Sequence, residues 1–167
     1  DKLSSNVAKL ISQGNVIGWF QGRTEFGPRA LGNRSILADP RNSEMQKKLN
    51  LKIKYREGFR PFAPSVIEED YTKYFEKDII SPYMLMVKKI NNNIKLKIPN
   101  NYNDLNYWEK LYTKRSSLQA ITHVDFSARI QTVSKDTNPK YWNLLNDFKK
   151  MSLFIVISII NPREVFF

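Results

Sequence analysis

Residues 16–40 read VIGWFQGRTEFGPRALGNRSILADP, and the prediction of the fold starts from this stretch. Val16–Phe20 is short, apolar and rich in β-branched and aromatic side chains, which predicts a buried strand. Gln21–Pro28 predicts a loop, because two glycines and a proline interrupt it. Ser35–Ala38 then predicts a second short strand, which the following Asp-Pro pair closes. The stretch is therefore read as strand, loop and strand.

The alternation of short strands with helices continues on both sides of this stretch. Such an alternation predicts an α/β fold, with a sheet and helices packed on it, and the 167 residues fit a single domain over 1–167. The further predicted strands are Phe62–Ile67, Tyr83–Ile90, Ile121–Val124, Ala128–Val133 and Leu153–Ile160. The predicted helices are one capped by Ser4 or Ser5, one capped by Ser43, one over about Asp70–Phe75, and Pro139–Met151. The aromatic residues Trp19, Phe26, Phe59 and Phe62 are assigned to the core rather than to a nucleotide base.

One segment does not follow this pattern. Residues 91–114 are polar, with asparagine turns and scattered aromatic side chains. The segment predicts a long loop or a lid, and a disordered excursion is the alternative that the sequence leaves open.

The composition excludes several classes of protein. The chain has no cysteine and one histidine, His123, so thiol nucleophiles, iron–sulfur clusters and disulfide scaffolds are excluded. No apolar run reaches the 18 or so residues of a membrane span. The chain opens at Asp1 without a signal peptide. We therefore expect a cytoplasmic protein with no membrane segment, of which this chain is one piece.

The charge of the chain predicts an anionic partner. Lys and Arg number 27 against 16 acidic residues, for a net charge of +11. Between Arg23 and Arg60 there are ten basic residues, six of them Arg, and only four acids. Arginine side chains match phosphate oxygens in a bidentate geometry, and nearby glycines let backbone N–H groups approach the same anion. The alternative is that these arginines pair with surface carboxylates.

The known phosphate-binding signatures are missing from the chain. It has neither a G-x-x-x-x-G-K-[ST] loop nor a G-x-G-x-x-G fingerprint. A phosphate site in this protein must therefore be built from side chains that several strands contribute.

Three blocks of sequence resemble the O-carbamoyltransferases of nodulation and antibiotic pathways. The blocks are Gly18–Arg41, Leu49–Ser65 (LNLKIKYREGFRPFAPS) and Thr122–Val133 (THVDFSARIQTV). In that family they form the C-terminal region, which has a YrdC-like fold, a twisted mixed sheet with flanking helices. The resemblance implies that a preceding actin-like catalytic domain, which holds iron and performs the final transfer, is absent from this chain.

The resemblance also implies a reaction. The YrdC-like domain takes ATP, with Mg²⁺, and carbamoyl phosphate, and forms carbamoyladenylate. The actin-like domain then passes the carbamoyl group to an acceptor hydroxyl. The partners implied are these two substrates and the missing domain, and the sequence leaves open whether the chain forms a homodimer.

The site residues follow from matching positions in the three blocks and, for Asn161, in the final strand of the family. Fixed cations are needed because two polyanions must approach each other and charge develops at the α-phosphate. Arg23 and Arg56 are the weaker candidates, since they are also placed to pair with Glu25 and Glu57. The residues expected to stabilise charge are Lys54, Arg60, Arg29 and Arg129. Those expected to bind substrate or nucleotide are Arg34, His123 as a hydrogen-bond donor, Arg23, Arg56 and Asn161.

The chain departs from the family at two places. The family's final strand ends in N-T-S-F-N-x-R-G-E-P, and here Ile159 stands at the Ser position while Asn161 is kept. In the third block, Phe126-Ser127 replaces Gly-Thr. Two further hypotheses therefore stand beside the enzyme domain: a non-catalytic basic module that binds anions or RNA, and a decayed remnant that folds without activity.

Overall fold

Short apolar strands and amphipathic helices make up the fold. The computed structural model describes residues 2–53, 55, 57–76 and 79–152, together with the backbone of 156–160. The strands within these residues are β1 (Ile17–Phe20), β2 (Arg34–Ala38), β3 (Ala63–Ile67), β4 (Val87–Lys89), β5 (Ser127–Arg129), β6 (Gln131–Val133) and β7 (Val156–Ile160). The α-helices are α1 (Lys2–Ser12), α2 (Met45–Lys52), α3 (Tyr107–Tyr112) and α4 (Pro139–Ser152).

Five of the strands form one mixed sheet in the order β1-β2-β7-β3-β6. β7 lies in the middle and runs antiparallel to both of its neighbours, whereas β3 and β6 are parallel. β4 and β5 form a separate antiparallel pair, in which Val87 lies opposite Arg129. The predicted α/β fold, a mixed sheet with flanking helices in one domain, is confirmed.

Helices α1 and α4 pack against each other beside the sheet. Tyr141, Leu144, Leu145 and Phe148 follow helical spacing along α4, and all four are fully buried. Ala8 and Ile11 of α1 are buried in the same core, so each helix contributes one apolar face. Over the described ranges, none of the helices combines the length and the apolar character needed to cross a membrane.

The predicted helix caps are wrong at both sites. α1 already includes Lys2, so Ser4 lies inside the helix, where its buried hydroxyl donates to the Asp147 carboxylate of α4 (2.6 Å). α2 begins at Met45, after Glu44, and no side chain caps it. Ser4 is therefore used to join two helices rather than to begin one.

The chain also changes partners where one long strand was predicted. Ala128–Val133 is divided at Ile130, because β5 pairs with β4 and β6 pairs with β3. The buried Ile130 donates its backbone N–H to the carbonyl of Met86 (3.1 Å). Three other predicted elements are shortened or changed. Tyr83–Ile90 is a strand only at β4, and the helix near Asp70–Phe75 is a 3₁₀ helix at Glu68–Lys73. Ile121–Val124 is not a strand, and its first residue ends a 3₁₀ turn at Gln119–Ile121.

Residues 91–114 are held against the domain by short helical elements. Two 3₁₀ turns, at Asn92–Ile94 and Tyr102–Asp104, precede α3. The side chains of Ile94 and Tyr102 are each about 5% exposed, and the Tyr102 hydroxyl donates to the carbonyl of Val124 (2.9 Å). The structure thus gives helical turns and buried anchors where the sequence predicted a long loop.

Candidate active site

The third sequence block forms a tight turn that presents His123 at the surface. The backbone N–H of His123 donates to the carbonyl of Ser127 (2.8 Å), and that of Phe126 donates to the carbonyl of His123 (3.0 Å). Burial acts to raise the pKa of Asp125, but hydrogen bonds from Ser127 and Lys89 outweigh it and lower that pKa. The ionised Asp125 therefore fixes the turn, with Oδ1 3.8 Å from His123 Nδ1.

Phe126 occupies a backbone position that suits glycine. Its φ is +63°, in the left-handed region, where a side chain costs about 1–2 kcal/mol. The ring lies 5.8 Å from the Tyr102 ring, and Lys95 Nζ lies 5.8 Å from its centroid. The left-handed backbone at position 126 explains why the family pattern has Gly there. In this chain, contacts with residues of the 91–114 segment offset the strain.

We expect Phe126→Ala to be about 1 kcal/mol less stable than Phe126→Gly. Both variants lose the ring contacts, but only glycine accepts the positive φ without cost. Urea denaturation followed by circular dichroism measures the difference. The control is the same pair of replacements at Leu85, which is exposed and not left-handed, so that alanine should be the more stable there. Equal stability of the two Phe126 variants would contradict the inferred backbone strain at position 126.

A cavity of about 280 Å³ joins this turn to the second sequence block. Arg129 carries a positive charge, and among the lining residues that the structure describes none is a carboxylate. An anion that enters the cavity therefore meets the guanidinium of Arg129. The lining residues are Pro61, Phe62, Ala63, Val87, Ile121, His123, Ser127, Ala128 and Arg129.

Arg60 lies next to this cavity in the chain, immediately before Pro61. Its Nε is 3.1 Å from the carboxylate of Glu57, and the two side chains are 53% and 57% exposed. Such an exposed pair contributes little stability, so a phosphate can displace Glu57 at small cost. Lys54 and Arg56, the other two basic candidates of this block, lie outside the described residues.

The final strand meets the cavity through β3. Position 159 of β7 lies opposite Ala63, which lines the cavity, and opposite Leu37 on the other side. Because directly opposed residues of an antiparallel pair share a face, position 159 and Ala63 lie on the same face of the sheet. The departure from the family pattern therefore falls beside the cavity. The candidate Asn161 lies outside the described residues.

A buried ion pair organises the loop of the first block. The Glu25 carboxylate accepts from the backbone N–H groups of Leu31 (2.6 Å) and Asn33 (2.8 Å) and from Arg34 Nε (3.1 Å). Arg34 also donates to the carbonyl of Gly27 (2.7 Å), and the two charged side chains are only 6% and 8% exposed. The guanidinium of Arg34 is thus used within the protein, to hold the loop.

The other arginines of this loop lie nearer to solvent. Arg23 is exposed and Arg29 is half-buried, and neither lines the cavity. Glu25, the carboxylate that was matched with Arg23 in the sequence, pairs with Arg34 instead. The assignment of Phe26 to the core is wrong, because its side chain is fully exposed at the loop surface.

The side chain of Gln131 connects this loop to the third block. Gln131 Nε2 donates to the carbonyl of Leu31 (2.8 Å), and Gln131 follows Arg129 by two residues. The structure therefore brings the first block next to β6, which follows the cavity residue Arg129 in the chain.

Over the described ranges, no three His, Cys, Asp or Glu side chains are grouped as a metal-ion ligand set.

Sequence reasoning missed Arg115, which stands among the largest fully buried side chains of the described residues. Its guanidinium donates to the carbonyls of Lys110 (2.5 Å), Leu111 (3.0 Å) and Thr122 (3.1 Å). Burial is the main cause that lowers its pKa. Arg115 thereby ties the end of α3 to the residue that precedes His123. Its position between two polar stretches gave no sign of such burial.

Comparison with known proteins agrees with the three sequence blocks. Residues 8–161 match the family described as carbamoyltransferase C-terminus. The chain belongs to this carbamoyltransferase family. The match takes in all three blocks, and it ends with the position that carries Asn161.

Relatives within the family are much longer proteins. Nodulation protein NolO of Bradyrhizobium diazoefficiens is 46% identical over 153 residues, which cover 90% of this chain and 24% of that protein. A 3'-hydroxymethylcephem-O-carbamoyltransferase of Amycolatopsis lactamdurans is 40% identical, over 89% of this chain and 23% of that protein. An uncharacterised protein of Synechocystis sp. is 55% identical, over 91% and 25%. The chain spans about a quarter of the length of these relatives.

Proposed function

We propose that this carbamoyltransferase domain binds ATP and carbamoyl phosphate and forms carbamoyladenylate, which the complete protein uses to carbamoylate an acceptor hydroxyl. The observation that carries the proposal is the 280 Å³ cavity between the second and third blocks. It combines Arg129 and His123 with the segment next to Arg60, and none of its described lining residues is a carboxylate. Membership of the family supports the transfer of a carbamoyl group, since one relative is named an O-carbamoyltransferase.

The proposed reaction has two bond exchanges. Water hydrolyses carbamoyl phosphate to carbamate and inorganic phosphate, and the proton released in this first step passes to solvent. A carbamate oxygen then attacks the α-phosphorus of ATP, and the bond to the β-phosphate oxygen breaks to release pyrophosphate. Carbamate is already an anionic nucleophile, so the step needs no general base. The main obstacle is repulsion between anions, which fixed cations offset.

Five of the candidate side chains have a part in this step. Arg129, in the cavity wall, stabilises the negative charge that develops at the α-phosphate. His123 donates a hydrogen bond to a substrate oxygen from the half-exposed turn. Arg60 leaves Glu57 and pairs with a phosphate. Lys54 and Arg29, two further cations expected from the family blocks, complete the charge balance.

The reaction is tested by measuring pyrophosphate release by the 167-residue chain. The chain is supplied with ATP, Mg²⁺ and carbamoyl phosphate, and each substrate is omitted in turn. Pyrophosphate that forms only when both substrates are present supports the proposal. A folded chain that releases none, or releases it without carbamoyl phosphate, contradicts it. Binding of double-stranded RNA instead, with an affinity that falls steeply as salt rises, would favour the basic-module hypothesis.

Arg129→Ala should lower pyrophosphate formation about 100-fold while the fold is retained. The loss of one group aimed at developing charge commonly has an effect of this size, and the exposed side chain of Arg129 is not part of the buried core. Arg129→Lys should recover part of the rate. Lys140→Ala removes one exposed charge on α4 and is the matched control, with no change expected. A rate for Arg129→Ala within twofold of the control would remove Arg129 from the site.

A further inference from the structure

Tyr102 and Arg115 hold the backbone on either side of His123. Arg115 Nη2 donates to the carbonyl of Thr122 (3.1 Å), the residue that precedes His123. The Tyr102 hydroxyl donates to the carbonyl of Val124 (2.9 Å), the residue that follows it. Both donors lie outside the third sequence block, and Tyr102 is 22 residues away from Val124 in the chain. The two carbonyls that flank His123 are therefore held by an earlier part of the chain.

The backbone of His123 itself is also hydrogen-bonded. Its N–H donates to the carbonyl of Ser127 (2.8 Å), and its carbonyl accepts from the N–H of Phe126 (3.0 Å). Three successive carbonyls, at positions 122, 123 and 124, thus each accept a hydrogen bond. A backbone that is bonded at each of these carbonyls has little freedom to turn, so the direction of the His123 side chain is set by these bonds.

The ring of His123 is held much less closely than its backbone. No hydrogen bond joins the ring to any of the described residues, and Asp125 Oδ1 lies 3.8 Å from Nδ1. The side chain is 54% exposed and lines the 280 Å³ cavity. The place of the ring in the cavity wall therefore depends on the backbone, and a displaced backbone would carry the ring with it.

The side chain of Tyr102 is a fixed anchor for this backbone. It is about 5% exposed, and its ring lies 5.8 Å from the ring of Phe126. Burial lowers the pKa of the Arg115 guanidinium, and an interaction with Tyr102 opposes this effect, so the groups on the two sides of His123 also interact with each other. Packing against Phe126 requires only the ring of Tyr102. The buried hydroxyl serves these polar contacts.

We propose that Tyr102 is a positioning residue for His123, whose backbone it holds so that the imidazole faces the substrate oxygen to which it donates. This inference rests on the proposed function, which gives His123 its role toward substrate. It also gives the segment 91–114 a task, because the segment carries Tyr102. The segment sets the geometry of the site from behind, since none of the described lining residues of the 280 Å³ cavity belongs to it.

Tyr102→Phe tests this role, because it removes the hydroxyl and keeps the ring that packs on Phe126. Pyrophosphate release by the 167-residue chain should fall about tenfold, while the circular dichroism spectrum remains that of the folded chain. Displacement of a group in an active site by about 1 Å can lower a rate by up to about 100-fold. Tyr83→Phe is the matched control, because it removes the hydroxyl of an exposed tyrosine that does not line the cavity, and it should leave the rate unchanged.

A double-mutant cycle with His123→Ala separates positioning from general support of the structure. If Tyr102 acts through His123, Tyr102→Phe should lower the rate of the His123→Ala variant by less than about twofold. If it lowers the rate of that variant about tenfold as well, the hydroxyl supports the structure as a whole, and the inference is wrong. Equal rates for Tyr102→Phe and the wild-type chain would also overturn it.

The single histidine supplies a second measurement that does not depend on catalysis. All imidazole signals in the NMR spectrum of the untagged chain come from His123. Tyr102→Phe should shift these signals, whereas Tyr83→Phe should leave them in place. If the folded wild-type chain releases no pyrophosphate, the proposed function fails, and the imidazole signals still report on Tyr102. Shifted signals would then support its hold on His123, and unshifted signals would contradict it.

Discussion

Gly32→Ala should lower the free energy of unfolding by about 3–5 kcal/mol. Gly32 has a φ of +103°, which L side chains rarely adopt, and this strain alone costs about 1–3 kcal/mol. A Cβ at this position would also overlap the Tyr141 ring, at 2.7 Å from Cγ and Cε1. Tyr141 is fully buried in α4 and cannot move aside without disturbing the core, and overpacking of this kind costs a further 1–3 kcal/mol or so.

Chemical denaturation of two matched variants identifies the cause of this loss. Gly18→Ala, in β1, is the control, because its φ is not in the left-handed region and an added Cβ there meets nothing within 4 Å. It should change the stability by less than 1 kcal/mol or so. In the double variant Gly32→Ala/Tyr141→Leu the overlap is relieved, so the total loss should be smaller than the sum of the single losses. A Gly32→Ala loss no larger than that of Gly18→Ala would show that the loop accommodates a side chain.

Arg34→Met should destabilise the protein by about 3–5 kcal/mol. The replacement leaves the Glu25 carboxylate buried beside the backbone N–H groups of Leu31 and Asn33, without its cation. An unpaired buried charge carries a cost of this size. Arg34→Met/Glu25→Gln removes both charges, so its loss should be smaller than the sum of the two single losses.

The same chain supplies an exposed ion pair for comparison. Arg60 and Glu57 are more than half exposed, so Arg60→Met should change the stability by no more than about 1 kcal/mol. Equal losses for Arg34→Met and Arg60→Met would contradict the structural role of the buried pair. The comparison also guides activity assays, because an Arg34 variant that loses activity through unfolding says nothing of substrate binding, whereas a folded Arg60 variant tests it directly.

The parts of the fold that depend on local sequence could be predicted. β1, β2, β3 and α4 were all expected within a residue or two, because each is an apolar run or an apolar stripe bounded by turn residues. The division of the strand at Ile130 could not be predicted in this way. It depends on whether β4 or β3 lies beside each half, and periodicity along one strand carries no information on distant partners.

The candidate site was predictable only in part. The match to the family blocks brought His123 and Arg129 together with the residues near Arg60, although some 60 residues separate them in the chain. Composition alone favoured a phosphate-binding role for every arginine near Gly or Pro, because acids are scarce in that region. The single carboxylate of Glu25 was enough to draw Arg34 into the protein interior. Whether Glu25 pairs with Arg34 or with Arg23 depends on the geometry of the loop, and a count of charges carries no information on that geometry.

The central place of β7 bears on the order in which the protein is made. Before residues 156–160 leave the ribosome, β1 and β2 can pair with each other, and β3 can pair with β6, but none of the other described strands joins the two pairs into one sheet. The strand that joins them is the last of the seven to be synthesised. A nascent chain that stalls before β7 therefore presents two unpaired strand edges, at β2 and β3, to which chaperones or other chains can bind.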